Sequence, residues 1–135
     1  MKLFLDTSVL VEACLLNSPK FATADALVKS GRACTSAHAL AETYATLSGD
    51  KRLKINPHDA SQMVTDVAAG LTVETLDPDA CLQLIQAAPQ KGISGGSFFD
   101  AIHAQTARRL KCGEIHTLNV RHFKHVAPDL KTVPL

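Results

Sequence analysis

Tryptophan is absent from this chain, tyrosine occurs once, and aromatic residues amount to 4% of the sequence. That scarcity excludes recognition built on extensive base stacking. The four cysteines, Cys14, Cys34, Cys81 and Cys112, contain no CxxC pair, so neither a zinc ribbon nor a thioredoxin-like redox site is indicated. They read as small hydrophobes of a reducing compartment. No apolar run approaches the roughly 18 residues that a spanning helix needs. The opening MKLFLDTSVLVEACLL is broken by Asp6 and Glu12, which argues against a secretion signal. Repeats, low-complexity tracts and a linker are also missing. A soluble, cytoplasmic protein without membrane contact is expected, folded as one domain over residues 1–135.

What is present is enough for a core. Hydrophobic residues make up 46% of the 135, and a chain this long buries roughly two-thirds of its unfolded surface without needing a disulfide or a structural metal. Fourteen basic residues stand against thirteen acidic ones, so net charge is silent about nucleic acid. Its distribution is not: residues 91–135 hold seven basic and three acidic residues and four of the six histidines. That mild basic bias is compatible with a polyanion ligand.

Short apolar segments alternate with helical spacings. Strands are predicted at 2–5, 33–35, 71–76 and 115–118, with a last edge strand at 132–133. Helices are predicted at 9–16, 21–29, from 35 or 36 to about 47, 58–69, 78–88 and 97–110, the last ended by Gly113. The alternation implies an α/β fold, a three-layer α/β/α sandwich around a mostly parallel sheet of about five strands. Ligands of such sheets bind outside the C-terminal strand ends, which directs attention to the polar residues there.

Asp6 follows the first strand directly and is flanked by apolar clusters; the alternative to a chemical role is capping of the next helix. Ser8 lies close behind, with a hydroxyl to offer a phosphate or a metal's water. Glu42 sits mid-helix in ALAETYA with no charge partner at i−3 or i+3, although His38 at i−4 is a pairing alternative. Asp100 occupies the first turns of its helix, in FFDAIHA, where the dipole favours an anion. His103, three residues on, reads as a core histidine or as a partner of Asp100. Three carboxylates brought together would repel one another unless a divalent cation lay between them. Oxygen-only ligation points to Mg²⁺ or Mn²⁺ rather than zinc. Asn119, after the strand ending in Thr117-Leu118, would face the same rim and reach a metal through water without adding charge.

These segments, LDTS at 5–8, LAE at 40–42, FDAIHA at 99–104 and TLN at 117–119 followed by Phe123, resemble the PIN-domain family, and within it the small VapC-type ribonucleases that act as toxins of toxin–antitoxin pairs. The resemblance implies metal-dependent endonucleolytic cleavage of RNA. It makes Asp6, Glu42 and Asp100 the metal-binding and catalytic carboxylates, and matches Ser8 and Thr117 to the family's hydroxyl positions, where both are expected to contact substrate. It also implies a cognate antitoxin, and the apolar positions of the first two helices make a homodimer plausible. The fourth family position is commonly Asp, whereas this chain has Asn119, with His122 three residues beyond; one firmly held ion is expected.

Phosphate contacts are expected from Arg108, Arg121 and His122, along with Arg109, Lys111 and Lys124. Hydrolysis by water would leave 5′-phosphate and 3′-hydroxyl ends, with Asp6 or Asp100 accepting the proton. A serine hydrolase is disfavoured because no GxSxG elbow occurs. A phosphoaspartate enzyme would want a carboxylate or lysine beside Asp6, where Thr7 and Ser8 stand. The non-enzymatic alternative is a PIN-like scaffold that binds RNA or a protein partner, which Asn119 would permit.

Overall fold

The computed structural model describes residues 1–135. Strand β1 (Leu3–Leu5) is completely buried, and its period-2 alternation divides the core. Phe4 points into a cluster with Ile115, Ala104, Ala107 and Phe123, whereas Leu5 packs with Val9, Leu10, Ala24 and Val28. Helices α1 (Thr7–Cys14) and α2 (Phe21–Val28) follow on the Leu5 side, then β2 (Ala33–Ser36), α3 (Ala37–Gly49), α4 (Pro57–Ala68), β3 (Thr72–Glu74) and α5 (Pro78–Ala87). Helix α6 (Ser97–Arg109) lies on the Phe4 side, before β4 (Glu114–Thr117), α7 (Val120–Val126) and β5 (Lys131–Pro134). The sheet order is β3-β2-β1-β4-β5 and every neighbouring pair is parallel. The strand order reverses between β1 and β4, which makes that junction the switch-point crevice of an open α/β sheet. No helix is long and apolar enough to cross a membrane.

Two elements differ from the sequence expectation. Helix α7 has no counterpart in it, being only seven residues with two β-branched valines. Packing makes it helical: Phe123 is fully buried and Val126 nearly so, both in the Phe4 cluster. The second difference is the end of α6. Lys111, not Gly113, is the terminator, with a left-handed φ of 57°. The Lys111 N–H donates to the Arg108 carbonyl and the Cys112 N–H to the Ala107 carbonyl, which is a Schellman closure with lysine in glycine's place. Lys111→Gly removes a side-chain strain of about 1–2 kcal/mol and adds backbone entropy worth about 0.5–1 kcal/mol to the unfolded chain. A net gain of about 0.5–1 kcal/mol is expected, read as a higher urea midpoint at unchanged slope.

The cysteines are free, and Cys14, Cys34 and Cys112 are buried. Burial pushes the Cys14 thiol up to about 11 and that of Cys112 up to about 12, as suits packing residues rather than nucleophiles.

Candidate active site

β1 ends at Leu5, and the next residue turns the chain into α1. Asp6 has extended backbone and caps that helix, accepting from the Val9 N–H at 3.3 Å. The same carboxylate accepts from Ser8 Oγ at 2.6 Å and from Thr117 Oγ1 at 2.7 Å. Capping and site placement therefore coincide. Asp6 is 3% exposed; burial pushes its carboxyl above the usual range, and the hydrogen bonds from Ser8 and Thr117 recover only part of the shift.

The two hydroxyls are committed. Ser8 Oγ accepts from the Leu118 N–H at 2.9 Å and Thr117 Oγ1 from the Asn119 N–H at 2.8 Å while both donate to Asp6. Thr117 is fully buried. Contrary to the sequence expectation of substrate contact, this pair stitches the β1–α1 turn to the β4–α7 turn and orients Asp6.

Glu42 is fixed by a relay that begins at the end of β2. Ser36 caps α3, accepting from the Ala39 N–H at 2.9 Å, and its hydroxyl lies 2.9 Å from His103 Nδ1. His103 Nε2 lies 2.7 Å from Glu42 Oε1. An ionised carboxylate only accepts, so the network assigns the proton to Nε2 and has the Ser36 hydroxyl donate to Nδ1. Thr7 Oγ1 also donates to Glu42 at 2.9 Å, and His38 Nε2 stands 3.7 Å away. Burial alone would push the Glu42 carboxyl up; the hydrogen bonds from His103 and Thr7 outweigh it, and the net shift is downward.

Asp100 lies in the first turn of α6, with His122 Nδ1 at 3.7 Å from its carboxylate. Burial raises its pKa, and the Asp6 and Glu42 carboxylates add to the rise. Asp6, Glu42 and Asp100 thus share one electrostatic environment, and all three line a cleft of about 350 Å³ with Ser8, Asn119 and Glu12. Their donor atoms are all oxygens. No three acidic, histidine or cysteine side chains stand close enough together to hold a metal ion by themselves.

Asp100 also borders a second cavity, of about 780 Å³, lined by Gly96, Ser97, Arg121, His122 and His125. Arg121 and His122, expected from the sequence to contact phosphate, both line this cavity. Arg108 does not: it grips Asp129 through two hydrogen bonds of 2.9 and 2.7 Å and also donates to Gln105. Arg109 reaches Asp77. Sequence reasoning missed Ser36, Thr7, His125 and Glu12, the last accepting from Ser18. His103 and His38 were visible in it only as helical neighbours of Asp100 and Glu42.

A family model described as PIN domain matches residues 3–128. Among curated proteins none matches the chain. Solved structures share its fold. VapBC2 from Rickettsia felis, bound to a DNA fragment from its promoter, aligns with a TM-score of 0.70 and 20% identity over 100% of this chain and 99% of that one. PAE2754 from Pyrobaculum aerophilum gives 0.68 and 18%, covering 98% and 84%. VapC20 of Mycobacterium tuberculosis, described as a Sarcin-Ricin loop cleaving toxin, gives 0.65 and 20%, covering 84% and 87%.

Proposed function

The chain belongs to the PIN-domain family, and on that premise we propose that it is a metal-dependent endoribonuclease and the toxin of a toxin–antitoxin pair. One observation carries the reading: Asp6, Glu42 and Asp100, from three separate segments, line one cleft beside the β1–β4 switch point. A Mg²⁺ or Mn²⁺ ion held by these carboxylates, with Asn119 reaching it through water, would supply positive charge to the phosphodiester and activate water. Asp100 would take the proton of the attacking water. Water adds to phosphorus as the 3′-oxygen leaves, giving 5′-phosphate and 3′-hydroxyl ends. Ser8 and Thr117 hold Asp6 in place, His103 holds Glu42, and Arg121 and His122 receive the flanking phosphates.

The partners in this reading are RNA, a cognate antitoxin and a second copy of the chain. VapBC2 is among the structures similar in fold. Support for protein contact comes from Leu16, 73% exposed, which borders two largely apolar grooves with Phe21, Val28, Leu53 and Met63. The test is cleavage of total RNA by the purified chain with Mg²⁺ or Mn²⁺, beside an Asp6→Asn control, with the ends mapped. Discrete cation-dependent cuts bearing 5′-phosphates, absent from the control, are expected. Intact RNA with both proteins, or 2′,3′-cyclic phosphate ends, would overturn the mechanism, the former in favour of a binding scaffold.

A further inference from the structure

The side of α6 that faces α3 carries a feature the carboxylate chemistry does not use. Phe99, immediately before Asp100, is 44% exposed. Its ring stacks on the His38 imidazole, centroids 4.7 Å apart and planes 25° from parallel. His38 packs against His103 at 5.6 Å, and His103 against the core ring of Phe4 at 6.1 Å. A line of four rings thus runs from the sheet to the rim, and the outermost combines a stack on His38 with substantial exposure to solvent. The line passes the site itself, since His38 and His103 both adjoin the Glu42 carboxylate.

Around α6, Gly96, Ser97 and Asp100 border the cavity that holds Arg121, whereas Phe99 and His103, four residues apart, share the face toward His38 of α3. Asp100 thus has Arg121 on its flank of the site, and Glu42 has the His38–Phe99 stack on its own. A nucleotide has a matching division, an anionic backbone and a π-faced base. Of the five phenylalanines only Phe99 is exposed, and it stands next to Asp100. We propose that Phe99, backed by His38, is a stacking platform for the nucleobase of an RNA nucleotide adjoining the scissile phosphate. The proposal deepens the nuclease reading and rests on it. A single platform holds a base in place with little discrimination among bases.

The absence of tryptophan supplies the test. Phe99→Trp, on the Asp6→Asn background so that RNA is bound without being cut, gives the chain one indole at the platform. Titration with a short oligoribonucleotide is expected to quench its fluorescence, whereas an abasic oligonucleotide of the same length, binding through phosphates alone, is not. In the otherwise unchanged chain, Phe99→Leu should weaken RNA binding roughly tenfold and raise KM with little change in kcat, and Phe99→Trp should restore both. Melting curves of the variants establish that each is folded. Equal quenching by the abasic strand, no quenching, or wild-type RNA affinity in Phe99→Leu overturns the platform. Loss of antitoxin binding in Phe99→Leu at unchanged RNA affinity overturns it in favour of a protein contact. Binding and quenching are read without turnover. Quenching in a chain whose unmutated form cuts nothing therefore sinks the nuclease reading alone, and cleavage without quenching sinks the platform alone.

Discussion

Asp100→Asn is expected to lower RNA cleavage by at least about 10³-fold, the scale of losing a group that acts in the transition state, and to make the protein more stable. The two effects have one origin. Asp100 is largely buried, and Asp6 and Glu42 in the same cleft push its pKa further up. An amide of the same shape keeps the packing and removes a charge that the folded state disfavours. A gain of about 1 kcal/mol is expected, or roughly 3–5 °C in melting temperature for a chain of this length. The comparison belongs in chelator, and addition of Mg²⁺ supplies the second half of the test. The cation should raise the melting temperature of the unmutated protein through binding to the native state and leave Asp100→Asn far less changed. An Asp100→Asn chain that cuts RNA normally, or that responds to Mg²⁺ as the parent does, would sink the assignment.

The pH dependence of that gain has a definite sign. A carboxyl whose pKa is higher in the folded state contributes stability below its unfolded value, and the contribution is lost as pH rises through the folded one. Asp100 and Asp6 are both of this kind. Asp100→Asn should therefore exceed the parent in stability at neutral pH and converge with it at about pH 4 and below, where the parent's own carboxyl is protonated. Glu42 runs the other way. Its pKa is lowered against its burial by His103 and Thr7, so its contribution is present at neutral pH and lost in acid. Urea melts of parent and variant across this range separate the two. A stability difference independent of pH would mean that the amide acts through packing and not through charge.

The residues that were legible in the sequence share a property: their role follows from position along the chain. Asp6 is readable because a strand stops and an acid follows, and Asp100 because an acid stands in the first turn of a helix. The strand order places both at the switch point, as α/β topology demands. What was not legible depends on partners far apart in sequence. Arg108 carries a free positive charge in one dimension and is tied to Asp129 in three. Ser8 and Thr117 are plausible phosphate donors until each is found giving its proton to Asp6. Helix α7 has an i, i+3, i+6 apolar spacing at Val120, Phe123 and Val126, but seven residues are too few for that spacing to outweigh propensity without the core beneath it. The Ser36–His103 contact joins residues 67 positions apart, and no local pattern announces it.

That contact is where the second large effect is expected. His103 is 1% exposed and uses both ring nitrogens, one toward the Ser36 cap and one toward Glu42. His103→Phe keeps a ring beside Phe4 and removes both polar edges, so Ser36 and Glu42 each lose a buried partner. A destabilisation of about 1–3 kcal/mol is expected, with cleavage lowered about 10- to 100-fold, as when a group that orients a ligating side chain is removed. His103→Gln separates positioning from mere support of the fold. Its amide N–H can take over the bond to Glu42 while the bond to Ser36 is lost. Gln should therefore recover most of kcat without recovering most of the stability. Since His103 touches neither substrate nor cation in this arrangement, the loss in His103→Phe belongs in kcat and in the Mg²⁺ concentration needed for half-maximal activity, with KM for RNA nearly unchanged. Activity that merely tracked the folded fraction across Phe, Gln and His would remove His103 from the mechanism and leave it as a core residue.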